Sequence, residues 1–149
     1  MSIRIAVTMR GPMRALASQG ILATDCHAQL KTTLLQKLGP EHAARLAEPQ
    51  HDTEANTVDW YAEGQGAAIP LKDLSEDEAT VVRSKAAALA RDVAHLSEQL
   101  TADAQARQAL SGQLLRQALQ HPSDDDIWSV NEQPVLINWG FAPGSVGAQ

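Results

Sequence analysis

The fold is decided first by residues 75–100, which read SEDEATVVRSKAAALARDVAHLSEQL. Ser75 and Glu78 form a capping box, in which the two side chains satisfy free N–H groups at the start of a helix. Apolar residues then recur at alternating spacings of four and three from Val82 to Leu100, which is typical of one buried helix face. This pattern predicts a long helix over 75–100.

A second helical pattern follows directly, with a different apolar face. Asp103 interrupts the first face, and a new face of leucines begins at Leu110. A single helix over 75–120 would be about 68 Å long, which is too long for a compact domain of this size. We therefore favour two antiparallel helices over 75–100 and 104–120, with one continuous helix as the alternative, because no glycine or proline forces a turn at 101–104.

Elements with other patterns flank this helical hairpin. Leucines spaced three and four apart, ended by Gly39–Pro40, predict a helix over 25–38. Segments rich in β-forming residues predict strands at 57–62, 127–130 and 134–139. The sequence therefore predicts an α+β fold, in which a small antiparallel sheet packs against three helices. The segments 44–50 and 3–7 are alternative additional strands of this sheet.

The two ends of the chain differ from its middle. Residues 1–20 contain three arginines and no acidic residue, and their alternating apolar residues suit either a basic N-terminal arm or an edge strand. Residues 143–149 have the composition of a linker. We predict one α+β domain over 21–142, preceded by the arm or strand and followed by a linker-like tail.

Composition excludes several classes of function. The chain has 149 residues and a formal net charge of −6, which disfavours nucleic acid as a partner. One cysteine excludes an internal disulfide framework, and no apolar run approaches the roughly 20 residues of a membrane span. The first residues do not resemble a signal peptide. We therefore expect a cytoplasmic location and no membrane insertion by this segment.

No motif for catalysis or for cofactor or metal binding emerges from the sequence. Cys26 and His27 are neighbours, but adjacent helical residues point about 100° apart and do not form a nucleophile and its base. The five histidines lack metal-site spacing, and the acidic run 124–126 lacks the pattern of a calcium loop. We predict that the chain is not an enzyme and uses no cofactor; an unrecognised site that joins His51, Asp59 and Asp126 is the enzymatic alternative.

The five aromatic residues and the acidic residues point instead to a protein partner. Between Glu48 and Glu78, nine acidic side chains stand against one basic residue, Lys72. Neighbouring side chains of a strand face opposite sides, so either Trp60 or Tyr61 points away from the core and can anchor a partner. The predicted partner-binding residues are Trp60, Tyr61, Glu63, Asp59, Trp139 and Phe141.

Two segments resemble a known bacterial family. The stretch VDWYAEG at 58–64 is similar to the D-W-Y-A segment of the SrfA-like virulence-factor family, which follows an A-x-P segment, here Ala47–Pro49. The stretch VNEQPVL at 130–136, with WGF at 139–141, resembles that family's V-x-G-Q-P-V-L and W-G-F. The resemblance covers about 25–142. Glu132 stands where the family often has glycine, which puts the type of turn in doubt.

The resemblance implies a non-enzymatic protein-interaction domain of a virulence-associated protein, whose partners include products of neighbouring genes. It also implies a soluble N-terminal region, such as the cytoplasmic part of a longer envelope-associated protein. It supplies no catalytic residue. The alternative from a different class is a small acidic immunity or inhibitor protein that binds a basic toxin. The oligomeric state stays open.

Overall fold

A computed structural model describes residues 2–64 and 66–144 of the chain. The described part contains four helices and ten short strands, together with 3-10 turns at Ala23–Cys26, Leu71–Asp73 and Asp124–Asp126. In chain order they are β1 (Ser2–Met9), β2 (Met13–Ala15), β3 (Ala17–Ser18), β4 (Ile21–Leu22), α1 (His27–Lys37), α2 (Pro40–Ala44), β5 (Glu48–Asp52), β6 (Thr57–Glu63), β7 (Ala68–Pro70), α3 (Glu76–Thr101), α4 (Ala106–Ala118), β8 (Ile127–Val130), β9 (Gln133–Leu136) and β10 (Phe141–Pro143). The α+β prediction is confirmed.

Helices α3 and α4 are separate and pack against each other. Helix α3 begins as its capping box predicts: the Glu78 N–H donates to Ser75 Oγ at 3.2 Å, and the Ser75 hydroxyl donates to Glu78 Oε1 at 2.8 Å. The chain turns after α3 without glycine or proline because Asp103 Oδ1 accepts the Gln105 N–H at 2.8 Å. The Asp103 side chain therefore stabilises a turn for which the sequence showed no obvious signal.

Gly112 sets the close approach of the two helices. The Ser97 hydroxyl donates to the Gly112 carbonyl oxygen at 2.8 Å, and Ser97 is 1% exposed. A Cβ atom on Gly112 would lie 2.5 Å from the Thr101 backbone nitrogen and 2.7 Å from the Ser97 carbonyl oxygen. Only glycine fits at this contact without moving a helix.

The strands form two three-stranded antiparallel sheets and two two-stranded ribbons. The first sheet has the order β1-β6-β5 and the second has the order β7-β8-β9. The predicted single sheet of 57–62 with 127–130 and 134–139 is therefore wrong, because β1 and β5 occupy both edges of β6. An isolated parallel bridge between Leu46 and Leu136 links the two regions.

The N-terminal segment is a strand of the first sheet. Its strand β1 pairs with β6 from Ser2 opposite Glu63 to Met9 opposite Thr57, and an irregularity between Arg4 and Ala6 inserts one extra residue. Strand β2 pairs with β10, so Pro143 belongs to the fold and not to a linker. The remainder of the predicted tail, 145–149, lies outside the described residues.

One hydrophobic core unites the sheets and helices. Its largest fully buried side chains come from α1 and α4, from β6, β9 and β10, and from the segment between β9 and β10: Leu30, Leu34, Leu114, Leu115, Trp60, Leu136, Phe141 and Trp139. No helix in the described part of the chain combines the length and the apolar character that a membrane span requires.

Candidate functional site

Three of the six predicted partner-binding residues belong to the core. Trp60 and Trp139 are 0% exposed and Phe141 is 1% exposed. The ring centroids of the two tryptophans are 6.1 Å apart, and the Trp139 Nε1–H donates to the Ala47 carbonyl oxygen at 2.8 Å. Because a partner cannot reach these side chains in the folded protein, their prediction as contact residues is wrong.

The other three predicted residues lie elsewhere on β6. Buried residues alternate with half-buried or exposed ones along the strand, which places Trp60 inside and Asp59, Tyr61 and Glu63 on the opposite face. The expectation that one of the two neighbouring aromatic residues points away from the core is met by Tyr61, which is half-buried.

The outer face of the first sheet collects Tyr61 with residues of β1. Arg4 lies opposite Tyr61 and Val7 lies opposite Asp59, while Met9 occupies the next outward position of β1. Val7 is 51% exposed and Met9 is 60% exposed, although both are apolar. We call the five residues Arg4, Val7, Met9, Asp59 and Tyr61 the sheet face.

The charges of the sheet face are solvated and balanced. Arg4 Nη1 lies 3.7 Å from Asp59 Oδ2, and the Arg4 side chain is 59% exposed. An ion pair this exposed contributes about 0–1 kcal/mol to stability. Glu48 lies opposite Tyr61 on the other side, on the edge strand β5. The face therefore offers an aromatic ring and two aliphatic side chains among charges of both signs.

A small depression lies beside Tyr61. The depression that it lines with Lys31 and Glu48 has a volume of about 20 Å³. That volume is near the minimum for one water molecule, whereas small-molecule sites measure about 300–1,000 Å³. This depression is therefore too small to hold a small-molecule substrate.

A chain of buried and partly buried hydrogen bonds connects β1 to the rest of the fold. The Trp60 Nε1–H donates to Thr8 Oγ1 at 2.9 Å, and the Thr8 hydroxyl donates to Asn138 Oδ1 at 2.8 Å. Asn138 Nδ2 in turn donates to Asp126 Oδ1 at 2.8 Å. This chain satisfies polar groups that would be costly to bury alone, and so it holds the sheet face in place.

His121 and Arg45 lie at the far end of this chain. His121 Nδ1 is 3.3 Å from Asp126 Oδ2, and this hydrogen bond raises the pKa of His121 above its ordinary value despite partial burial. Burial lowers the pKa of Arg45 to about 10, so its guanidinium stays charged at neutral pH. Its positive charge opposes protonation of His121. Through Asp126, His121 is thus connected to Asn138 and to the strand β1.

The three residues of the enzymatic alternative do not face one another. His51 occupies an inward position of β5, opposite Val58, whereas Asp59 faces outward and pairs with Arg4. Asp126 is 4% exposed and its carboxylate is engaged by Asn138, His121 and the Ser123 N–H. The structure therefore does not bring His51, Asp59 and Asp126 together into one pocket.

Cys26 and His27 do not form a reactive pair either. Burial and the neighbouring Asp25 raise the pKa of the Cys26 thiol, which disfavours the nucleophilic thiolate. His27 Nε2 lies 3.2 Å from the Leu46 carbonyl oxygen, and burial lowers the pKa of this histidine.

The acidic segment is divided between two surfaces. Glu48, Asp52 and Asp59 belong to the first sheet, whereas Asp77 and its neighbours lie at the start of α3.

Within residues 2–64 and 66–144, no three histidine, cysteine, aspartate or glutamate side chains come together in a group that could hold a metal ion.

Comparison of this chain with protein-family models, with curated proteins and with solved structures finds no match.

Proposed function

We propose that this chain is a non-enzymatic protein-interaction domain that binds a partner protein through the sheet face. The observation that carries the proposal is the exposure of Val7 and Met9 on an edge strand, beside the half-buried ring of Tyr61. An edge strand with outward apolar side chains invites pairing with another chain unless it is covered. Aromatic side chains set among aliphatic ones are the commonest anchors of protein interfaces.

The shape and rigidity of the sheet face also support this function. Its residues stand on paired strands and not on loops, and the partly buried hydrogen bonds from Trp60 through Thr8 to Asn138 hold β1 in register. A surface held in this way loses little conformational entropy when a partner binds. The flat face without a ligand-sized depression suits a protein more than a small molecule.

The resemblance of 58–64 and 130–141 to SrfA-like virulence factors supports a bacterial setting. We propose on this basis that the chain is a cytoplasmic domain of a virulence-associated protein and that its partner is the product of a neighbouring gene. Under this proposal, the buried half of each resembling segment, including Trp60 and Trp139, maintains the fold. The exposed half, including Tyr61, contacts the partner.

Photo-crosslinking in bacteria tests this proposal. Tyr61 is replaced by the photoreactive residue p-benzoylphenylalanine, whose ring resembles the tyrosine ring, in the full-length protein produced with its neighbouring genes. The matched control carries the same residue in place of Leu35, which is 50% exposed on α1 and lies outside the sheet face. We expect irradiation to give a discrete covalent adduct at position 61 that is absent at position 35.

Two results would overturn the proposal. One is the absence of an adduct at position 61 in a variant that folds as the wild type does. The other is the same set of adducts at both positions, which would indicate random collision and not a defined interface.

A further inference from the structure

A second surface lies at the start of α3, away from the sheet face. It is a groove of about 230 Å³ between the first turns of α3 and the turn that joins β8 to β9. Leu74, Val81 and Val82 supply its apolar lining. Val82 is 3% exposed and belongs to the core, whereas Val81 is 53% exposed. The groove therefore has a fixed floor and an open apolar wall.

The rim of the groove is acidic. Asp77, Glu78 and Glu132 contribute carboxylates, and Lys85 is the one basic lining residue. Glu78 is already engaged, since its carboxylate accepts the Ser75 hydroxyl of the helix cap. Lys85 Nζ points to the Glu132 backbone carbonyl at 3.4 Å. Among the described residues, no hydrogen bond or ion pair engages the side chains of Asp77 or Glu132.

Helix stability explains only part of this charge. Acidic residues in the first turn interact favourably with the positive end of a helix dipole, which accounts for Asp77. Glu132 comes from a different element, and its φ of +67° lies in the left-handed region that disfavours residues other than glycine. The chain thus has a carboxylate at a turn position where glycine would be less strained, and that residue lines the groove.

The dimensions of the groove narrow the choice of ligand. At about 230 Å³ it is smaller than the roughly 300–1,000 Å³ of small-molecule sites, and it can accept one or two side chains of a peptide. Its apolar lining selects an aliphatic side chain. Its two unengaged carboxylates select a cation on either side of that residue.

We propose that this groove, hereafter the acidic groove, binds a short basic segment of a partner protein that presents an aliphatic side chain between lysine or arginine residues. The aliphatic side chain packs against Val81 and Val82. The flanking cations lie near Asp77 and Glu132, where their attraction weakens as salt screens exposed charges. The acidic groove and the sheet face share no residue, so this inference stands independently of the proposed function.

A peptide titration monitored by amide NMR tests the inference. The probe is acetyl-Gly-Lys-Leu-Arg-Gly-amide, and the control peptide is acetyl-Gly-Glu-Leu-Glu-Gly-amide. We expect the basic peptide to shift the amide signals of Asp77, Val81 and Glu132 saturably, and the acidic peptide to leave them unchanged. Raising the salt concentration from 50 to 500 mM should weaken the basic peptide several-fold.

Matched variants assign the effect to the groove. The double variant D77N/E132Q should bind the basic peptide with about tenfold lower affinity, which corresponds to about 1.4 kcal/mol. The control E54Q/E98Q removes two exposed acidic side chains outside the acidic groove and makes the same change in net charge. It should retain wild-type affinity. V81S tests the apolar wall against L35S, since both residues are about half exposed.

The inference fails if the basic peptide shifts amide signals outside the acidic groove and not those within it. It also fails if D77N/E132Q and E54Q/E98Q lower the affinity for the peptide equally. Self-association of the protein that D77N/E132Q removes would also overturn it, because the occupant of the groove would then be a second copy of this chain. Unchanged thermal unfolding of each variant establishes that a loss of binding is not a loss of fold.

Discussion

Replacing Gly112 by alanine should destabilise the protein, although alanine is the better helix former. By propensity alone, the substitution in α4 would stabilise the helix by about 1 kcal/mol. The new Cβ, however, would lie 2.5 Å from the Thr101 nitrogen and 2.7 Å from the Ser97 carbonyl oxygen. Both are backbone atoms, so no side-chain rotation relieves the contact.

The expected loss can be worked out from this geometry. Forcing the helices apart costs about 1–3 kcal/mol, as other overpacked cores do. It also breaks the hydrogen bond from the buried Ser97 hydroxyl to the Gly112 carbonyl oxygen, at about 1–3 kcal/mol. After subtraction of the gain in propensity, G112A should lose about 3 kcal/mol, or about 6–12 °C in Tm for a chain of this length.

Urea denaturation followed by circular dichroism measures this loss. The control A87G alters an exposed position of α3 and should cost about 1 kcal/mol, which calibrates helix propensity in this protein. A second variant, T101A, should not rescue G112A, because the clashing nitrogen belongs to the backbone. A G112A protein as stable as the wild type, or more stable, would refute the close approach of α3 and α4.

Three further predictions concern the turn, the buried hydrogen bonds and pH. Replacing Glu132 by glycine should stabilise the protein by about 0.5–1 kcal/mol, because glycine adopts the φ of +67° found at this position without strain. E132A should give no such gain, because alanine is strained at this φ as glutamate is. Equal Tm values for E132G and E132A would contradict this prediction. Replacing Thr8 by valine should lower the unfolding free energy measured in urea by about 2–3 kcal/mol, because it leaves Trp60 Nε1 without an acceptor and removes a donor to Asn138. The control is T57V, which changes a threonine of β6 at an outward position of the same sheet. The loss of stability should be larger for T8V than for T57V. The raised pKa of His121 means that its protonated form stabilises the fold fully below its unfolded pKa of about 6.5, and that this contribution is lost as pH rises through the folded pKa. The difference in unfolding free energy between the wild type and H121Q should therefore be larger at pH 5.5 than at pH 8.5, and a difference independent of pH would contradict the bond to Asp126.

Local signals in the sequence predicted where the helices begin and end, except at the turn between α3 and α4. The capping box at Ser75 and the stop at Gly39–Pro40 act through neighbouring residues, so their effects are legible along the chain. The strands predicted at 127–130 and 134–139 correspond to β8 and β9, although β9 ends at Leu136. Asn131 and Glu132 both have positive φ, as a two-residue turn requires, although Glu132 is not the glycine expected there.

The pairing of the strands was not legible in the same way. Strand β6 contacts β1, which lies about 50 residues earlier in the chain, and nothing in the local pattern of either strand specifies the other. The prediction joined β6 to the strands at 127–130 and 134–139 in one sheet, which is wrong, and gave 44–50 or 3–7 as an added strand of that sheet; these two segments overlap β5 and β1, which do pair with β6. Choosing among distant partners depends on how the whole core packs, which a single sequence does not display.

The candidate site was predicted in part for a related reason. Strand alternation correctly separated Trp60 from Tyr61, but it could not say which ring was buried. Arg4, Val7 and Met9 were missed as a surface because the extra residue between Arg4 and Ala6 shifts the alternation of β1. Ile3 and Ile5 then face inward while Val7 faces outward, although the simple pattern puts all three on one face. No glycine or proline marks this irregularity.

The fold also separates the acidic residues of 48–78 into two groups, and the sequence did not indicate this separation. Its first acidic residues belong to a solvated sheet, and its last ones surround the start of α3. Glu132, which completes the acidic groove, comes from a turn more than 50 residues further along the chain. Composition indicated a preference for basic partners, whereas the fold determines where the charges gather.

The affinity of the partner captured at position 61 tests the central claim most directly. Titration calorimetry should compare the wild type with Y61A and with L35A, which removes an exposed apolar side chain outside the sheet face. If the sheet face is the interface, Y61A should weaken binding at least tenfold, or by about 1.4 kcal/mol, while L35A binds as the wild type does. Equal affinity of Y61A and the wild type would contradict the claim that this domain binds its partner through the sheet face.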